Sequence, residues 1–82
     1  MLEFICVLGL QHNCILICRT LNPPKLLHSY RNKIIITEWT KAHPPLKFLK
    51  IRLMEGDGDE DERREQKRWI YKTGILNVRR SK

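Results

Sequence analysis

Four side chains near the start of the chain, Cys6, His12, Cys14 and Cys18, are of the types that ligate zinc, and four is the number a tetrahedral site takes. Their spacing argues otherwise. Structural zinc ligands come in pairs two to four residues apart on tight knuckles, whereas here the intervals are five, one and three residues within the most apolar stretch of the chain. Cysteine in that setting packs as a small hydrophobe, so core thiols and no metal are expected. Asp57, Asp59 and Asp61 open a calcium-loop pattern, but its sixth position is Glu62 in place of Gly and its twelfth is Arg68 in place of a bidentate Glu. Gly-rich phosphate loops, H-E-x-x-H and G-x-S-x-G are absent, and His12, His28 and His43 are scattered. The chain reads as non-enzymatic and without a cofactor.

A chemical reading falls instead on bases interleaved with aromatics. Arg63, Arg64, Lys67, Arg68, Trp69, Tyr71 and Lys72 are followed by Arg79 and Arg80 in a basic tail, residues 79–82. Arg and Lys meet phosphates, while Trp and Tyr stack on unpaired bases, as a nucleic-acid surface requires. Two considerations oppose it. Trp69 lies beside Ile70 and can pack onto a sheet, leaving the bases as a solvated helix face. The acidic segment just before, residues 55–62, would also repel a phosphate backbone.

Charge in the 82-residue chain is sorted into blocks, with sixteen Lys and Arg against nine Asp and Glu and a net charge of +7. Met1 to Cys18 holds only Glu3; Arg19 to Met54 holds eight bases and Glu38; Glu55 to Glu62 holds six acids; Arg63 to Lys82 holds eight bases and Glu65. Such an excess favours phosphates, through counterion release, or anionic lipid, at about 1 kcal/mol per base near the surface. The odd number of cysteines argues against a disulfide framework and favours a reducing, intracellular compartment.

These residues need elements to hold them. The apolar stretch Leu2 to Cys18 has neither the basic start nor the small-residue cleavage triplet of a signal peptide. As a membrane span it is broken by Gln11-His12-Asn13. It reads as a buried β-hairpin with Gly9 a bulge near the tip, the alternative being a membrane anchor. Asn22-Pro23-Pro24 marks a turn, and Lys25 to Tyr30 a helical turn or two. Ile34 to Thr40 is expected to be a strand buried on both faces, since β-branched and aromatic residues dominate it. Leu49, Ile51 and Leu53 alternate with Lys50 and Arg52, which predicts a strand with a basic outer face. The segment 55–62 reads as a solvated acidic loop leading into a helix capped by Asp57 or Asp59, with Glu60–Arg64 and Asp59–Arg63 pairs and a stop at Gly74. Ile75 to Val78 reads as a last short strand.

The expected fold is α+β: one small β-rich domain over residues 1–82, with an N-terminal hairpin and one C-terminal helix. The expected function is that of a small basic accessory protein contacting RNA or DNA phosphates through Arg63 to Lys72 and the tail. Alternatives are a membrane-associated protein anchored by its apolar N-terminal segment, and an open reading frame product or designed chain without a selected function. No oligomeric state follows from the residues.

Overall fold

A computed structural model of the chain describes residues 2–35 and 37–80. The apolar start forms two antiparallel strands, β1 (Phe4–Leu10) and β2 (Ile15–Thr20), paired from Phe4 opposite Thr20 to Gly9 opposite Ile15. Between them, a 3₁₀ turn, Gln11–Asn13, reverses the chain with His12 and Asn13 in the left-handed region at φ 66° and 58°. Asn tolerates that region better than most residues because its short polar side chain can bond locally. Both strands are apolar at nearly every position because both faces of the hairpin are covered.

Asn22 caps helix α1 (Pro23–Arg31), its Oδ1 accepting from the Lys25 N–H at 3.2 Å. The two prolines thus open a helix, in the first turn, where a missing N–H costs no hydrogen bond. The expected strand at Ile34 to Thr40 is not formed. Thr37 and Thr40 make a reciprocal capping box, each backbone N–H donating to the other's hydroxyl at 3.1 Å, and helix α2 (Glu38–Ala42) follows. Ile34 lies in a bend and is 69% exposed; Ile36 is outside the described residues. β-Propensity reports fit to a pleated, partly buried surface, and both edges of β1 are already taken by other strands.

Strand β3 (Pro45–Leu53) pairs antiparallel with β1, with register irregularities between Val7 and Leu8, where Leu49 is skipped, and between Gly9 and Leu10. A Cβ on Gly9 would stand 3.1 Å from Leu49 Cγ, so the glycine makes room for that side chain. Asp57 then caps helix α3 (Gly58–Thr73), which ends at Gly74 with φ 100°. A second 3₁₀ turn, Ile75–Asn77, occupies most of the expected last strand, and strand β4 (Val78–Arg80) runs parallel to β2.

The sheet order is β3-β1-β2-β4, so the hairpin is central and the fold is α+β, a four-stranded mixed sheet with three helices. More than the C-terminal helix covers it. On one face, Leu26, Leu27, Tyr30 and Trp39 of α1 and α2 pack on Cys6, Leu8, Leu10, Leu16 and Cys18. On the other, Trp69 and Ile70 of α3 pack on Ile5, Val7, Ile15, Ile17 and Val78. The radius of gyration, 11.8 Å, is that of a compact fold of this length, about 12 Å by chain-length scaling.

Candidate nucleic-acid interface

Helix α3 has two unlike surfaces, and the sheet creates the difference. Lys50 and Arg52 of β3, Arg19 of β2 and Arg80 of β4 project from the α3 side of the sheet toward the helix. The acids of α3 reach down to meet them. Asp61 accepts a two-pronged contact from Arg52, Nη2 to Oδ1 at 2.6 Å and Nη1 to Oδ2 at 2.9 Å, and a further bond from the Glu55 backbone N–H at 2.7 Å. Glu65 accepts from Arg52 Nε and Trp69 Nε1, each at 2.9 Å, with Lys50 Nζ at 3.5 Å. Glu62 faces Arg19 Nε at 3.3 Å and Arg80 Nη1 at 3.9 Å. Asp61, Glu62 and Glu65 are all buried, at 1% exposure or less.

Two readings of the sequence are corrected here. Residues 55–62 are not a solvated loop throughout, because from Gly58 they belong to α3 and two of their acids are buried. Lys50 and Arg52 do not form a basic outer face; they turn inward to Asp61 and Glu65, while Ile51 and Leu53 remain about half exposed. Ile51 and Leu53 alternate with Lys50 and Arg52 as expected, but the register irregularity at Leu49 breaks the pattern there, and buried acids opposite the strand reverse which side faces water.

The hydrogen bonds from Arg52 hold the Asp61 carboxyl well below its ordinary range, against the opposing effect of burial. At Glu65 burial pushes upward most strongly, but the bonds from Arg52 and Trp69 and the charges of Lys50 and Arg52 outweigh it, and the net direction is down. Both acids are therefore held as anions, matched by bases on the sheet.

Neutralisation from within leaves the outer surface of α3 to its bases. Arg64, Lys67, Arg68, Tyr71 and Lys72, at spacings i, i+3, i+4, i+7 and i+8, line one open, shallow depression. Tyr71 is 96% exposed in the midst of the bases. Arg64 and Arg68 lean on Asp61 at 3.2 Å and Glu65 at 3.8 Å but keep more than half of their side-chain surface in water.

The other expected site residues lie elsewhere. Arg63 is exposed on α3 but does not line the depression. Trp69 is half-buried against the sheet, bonded to Glu65, with Lys72 Nζ 4.7 Å above its ring. Arg79 stacks 4.6 Å over Trp39 on the opposite side of the sheet, and Arg80 is engaged with Asp59 and Glu62. Ser81 and Lys82 of the expected tail lie outside the described residues. Sequence reasoning missed Arg19, Lys50 and Arg52 as the inner counter-charges. No local signal marks them, because they lie on strands far from α3 in the chain.

The three cysteines are buried and unoxidised, with Cys6 opposite Cys18 across the hairpin. Among the described residues no group of three or more His, Cys, Asp or Glu side chains is placed to hold a metal ion, and no helix is long and apolar enough to cross a membrane. Comparison with protein-family models, characterised proteins and solved structures gave no match.

Proposed function

We propose that this is a small non-enzymatic accessory protein that binds the phosphates of a single-stranded nucleic acid along the outer surface of α3. One observation carries the reading: Arg64, Lys67, Arg68 and Lys72 form an exposed stripe around a fully exposed Tyr71, while Asp61, Glu62 and Glu65 of the same helix are turned inward toward bases on the sheet. The acidic segment weighs less as an objection, because Asp61 and Glu62 are buried against the sheet and Glu55, Asp57, Asp59 and Glu60 lie before the stripe on the chain. Four bases set the phosphate contact, and Tyr71 offers a face on which an unpaired base can stack.

Titration of a fluorescent single-stranded RNA at several salt concentrations tests this. Four phosphate contacts predict a log–log slope near −3 by counterion release. Arg64→Glu with Lys67→Glu and Arg68→Glu abolishes binding. Lys67→Glu with Lys72→Glu leaves the Arg64 and Arg68 contacts intact and weakens binding by about tenfold or more. Tyr71→Ala costs about tenfold on single strands and little on duplex. Failure to bind at low salt, or binding indifferent to these changes, refutes the reading.

Anionic lipid is a second reading, favoured by Ile75 and Leu76, which are 72% and 83% exposed just beyond the basic stripe. Sedimentation with phosphatidylserine vesicles separates the two: lipid binding is lost on Ile75→Ser with Leu76→Ser, whereas RNA binding survives.

A further inference from the structure

We infer that His12 and His43 form a two-histidine site for a late first-row divalent metal ion, of the copper or zinc kind, at the tip of the central hairpin. The two residues are 31 apart in sequence, and their Nδ1 atoms lie 3.0 Å apart. The fold sets this approach. The Gln11 N–H donates to the Pro44 carbonyl at 2.9 Å, so the residues next to the two histidines are tied together by main chain. His12 sits in the hairpin turn with φ 66°, a region in which histidine is severalfold enriched among residues that carry a Cβ. His43 follows α2, and its ring packs against Trp39 with centroids 4.5 Å apart.

The ion is argued from donor chemistry and spacing. Imidazole nitrogen suits zinc, copper and nickel. Metal–nitrogen bonds of about 2.0–2.1 Å separate two donors by about 2.9 Å at a right angle and about 3.3 Å at the tetrahedral angle. The observed 3.0 Å falls between them, so a small turn of the two rings exchanges their mutual contact for a shared ion. In the free pair one imidazole donates its Nδ1 hydrogen to the other. On binding, that hydrogen moves to Nε2, and both Nδ1 lone pairs turn to the metal without a change of charge on either ring. Hard cations are disfavoured: calcium and magnesium want oxygen ligands, and among the described residues no carboxylate joins the pair. The Arg79 guanidinium, stacked 4.6 Å over Trp39, adds a positive charge beside the site, so an ion is held there by coordination and not by field. Two protein ligands leave the remaining positions to water, which makes the ion accessible and exchangeable. His28, bonded to Asn32 on α1, takes no part.

Titration of the full chain with Cu2+ alone, followed by tryptophan fluorescence, tests the site. One equivalent is expected to bind and to quench Trp39, which packs on His43; Trp39→Phe removes most of that quenching while binding persists. His12→Asn keeps a residue that tolerates the left-handed turn. Combined with His43→Gln, it is expected to lower affinity at least about tenfold, the loss that even an outer partner of a metal ligand causes. His28→Gln leaves binding unchanged, and the buried thiols do not compete in the native chain. Zn2+ titration of the native chain by NMR gives a reading that needs no variant: the imidazole signals of His12 and His43 shift together and saturate at one equivalent, and those of His28 do not. No binding by the native chain, binding unchanged in the double variant, or shifts that spare either histidine overturns the inference.

Discussion

Glu65 is the residue on which the two surfaces of α3 depend. Fully buried, it gathers Arg52, Lys50 and the Trp69 indole on one side and lends its remaining field to Arg68 on the other. Breaking one partner of a buried ion pair typically costs about 3–5 kcal/mol because an uncompensated charge is left behind. Arg52 and Lys50 keep some contact with water, so Glu65→Gln is expected to cost about 2–3 kcal/mol in urea unfolding. The same geometry fixes the sign of the pH dependence. Asp61 and Glu65 titrate lower in the folded chain than in the unfolded one, so below about pH 4 the unfolded state binds more protons. Their contribution is complete above that pH and is lost as pH falls below it. Unfolding free energies at pH 7 and pH 3 measure the loss, and Asp61→Asn with Glu65→Gln should reduce the difference between the two. An equal pH dependence in that variant would show that other carboxylates carry it.

At the scale of elements, α3 was legible because its instructions are local. Asp57 as a cap, acids first and bases last, and Gly74 as a stop all act within a turn of the residues they organise. The hairpin was legible for the same reason, its two apolar runs being joined by a short polar break. Ile34 to Thr40 misleads because β-propensity needs a partner strand, whereas the Thr37–Thr40 capping box needs only itself. Gly58 shows local and tertiary demands in conflict. Ala in the first turn of a helix is intrinsically better than Gly by up to about 1 kcal/mol. Yet a Cβ there would overlap Arg19 Nη1 and stand 2.9 Å from Met54 Sδ, displacing the guanidinium that faces buried Glu62. Gly58→Ala is therefore expected to destabilise by about 1–2 kcal/mol despite its propensity, as urea unfolding would register. Adding Arg19→Met should make the same Gly58→Ala change nearly neutral, since the group that the Cβ displaces is gone.

Across the whole molecule, the segregation of charge along the sequence becomes in part segregation by depth: Asp61, Glu62 and Glu65 between helix and sheet, Arg64, Lys67, Arg68 and Lys72 on the outside of α3. The sequence separated the two signs but could not tell inside from outside, because the inner bases come from three strands far from the helix in the chain. Only the sheet order brings Arg19, Lys50, Arg52 and Arg80 under one helix. The same sheet is sealed on its other face by α1 and α2, and that layer contains Cys6, Cys14 and Cys18, each at 3% exposure or less. Thiol chemistry thus reports whether the central hairpin is covered from both sides at once. Burial pushes the Cys6 thiol up to about 11, so raising the pH to 9 should not activate it, and an aromatic disulfide reagent should modify none of the three cysteines in the native chain. In strong denaturant all three should react within the dead time of mixing. Slow native modification should follow the global unfolding equilibrium, falling into step with Glu65→Gln although Glu65 lies across the sheet from every thiol. Rapid modification without denaturant would mean that the helical layers do not close over the sheet, and it would remove the scaffold on which the basic stripe depends.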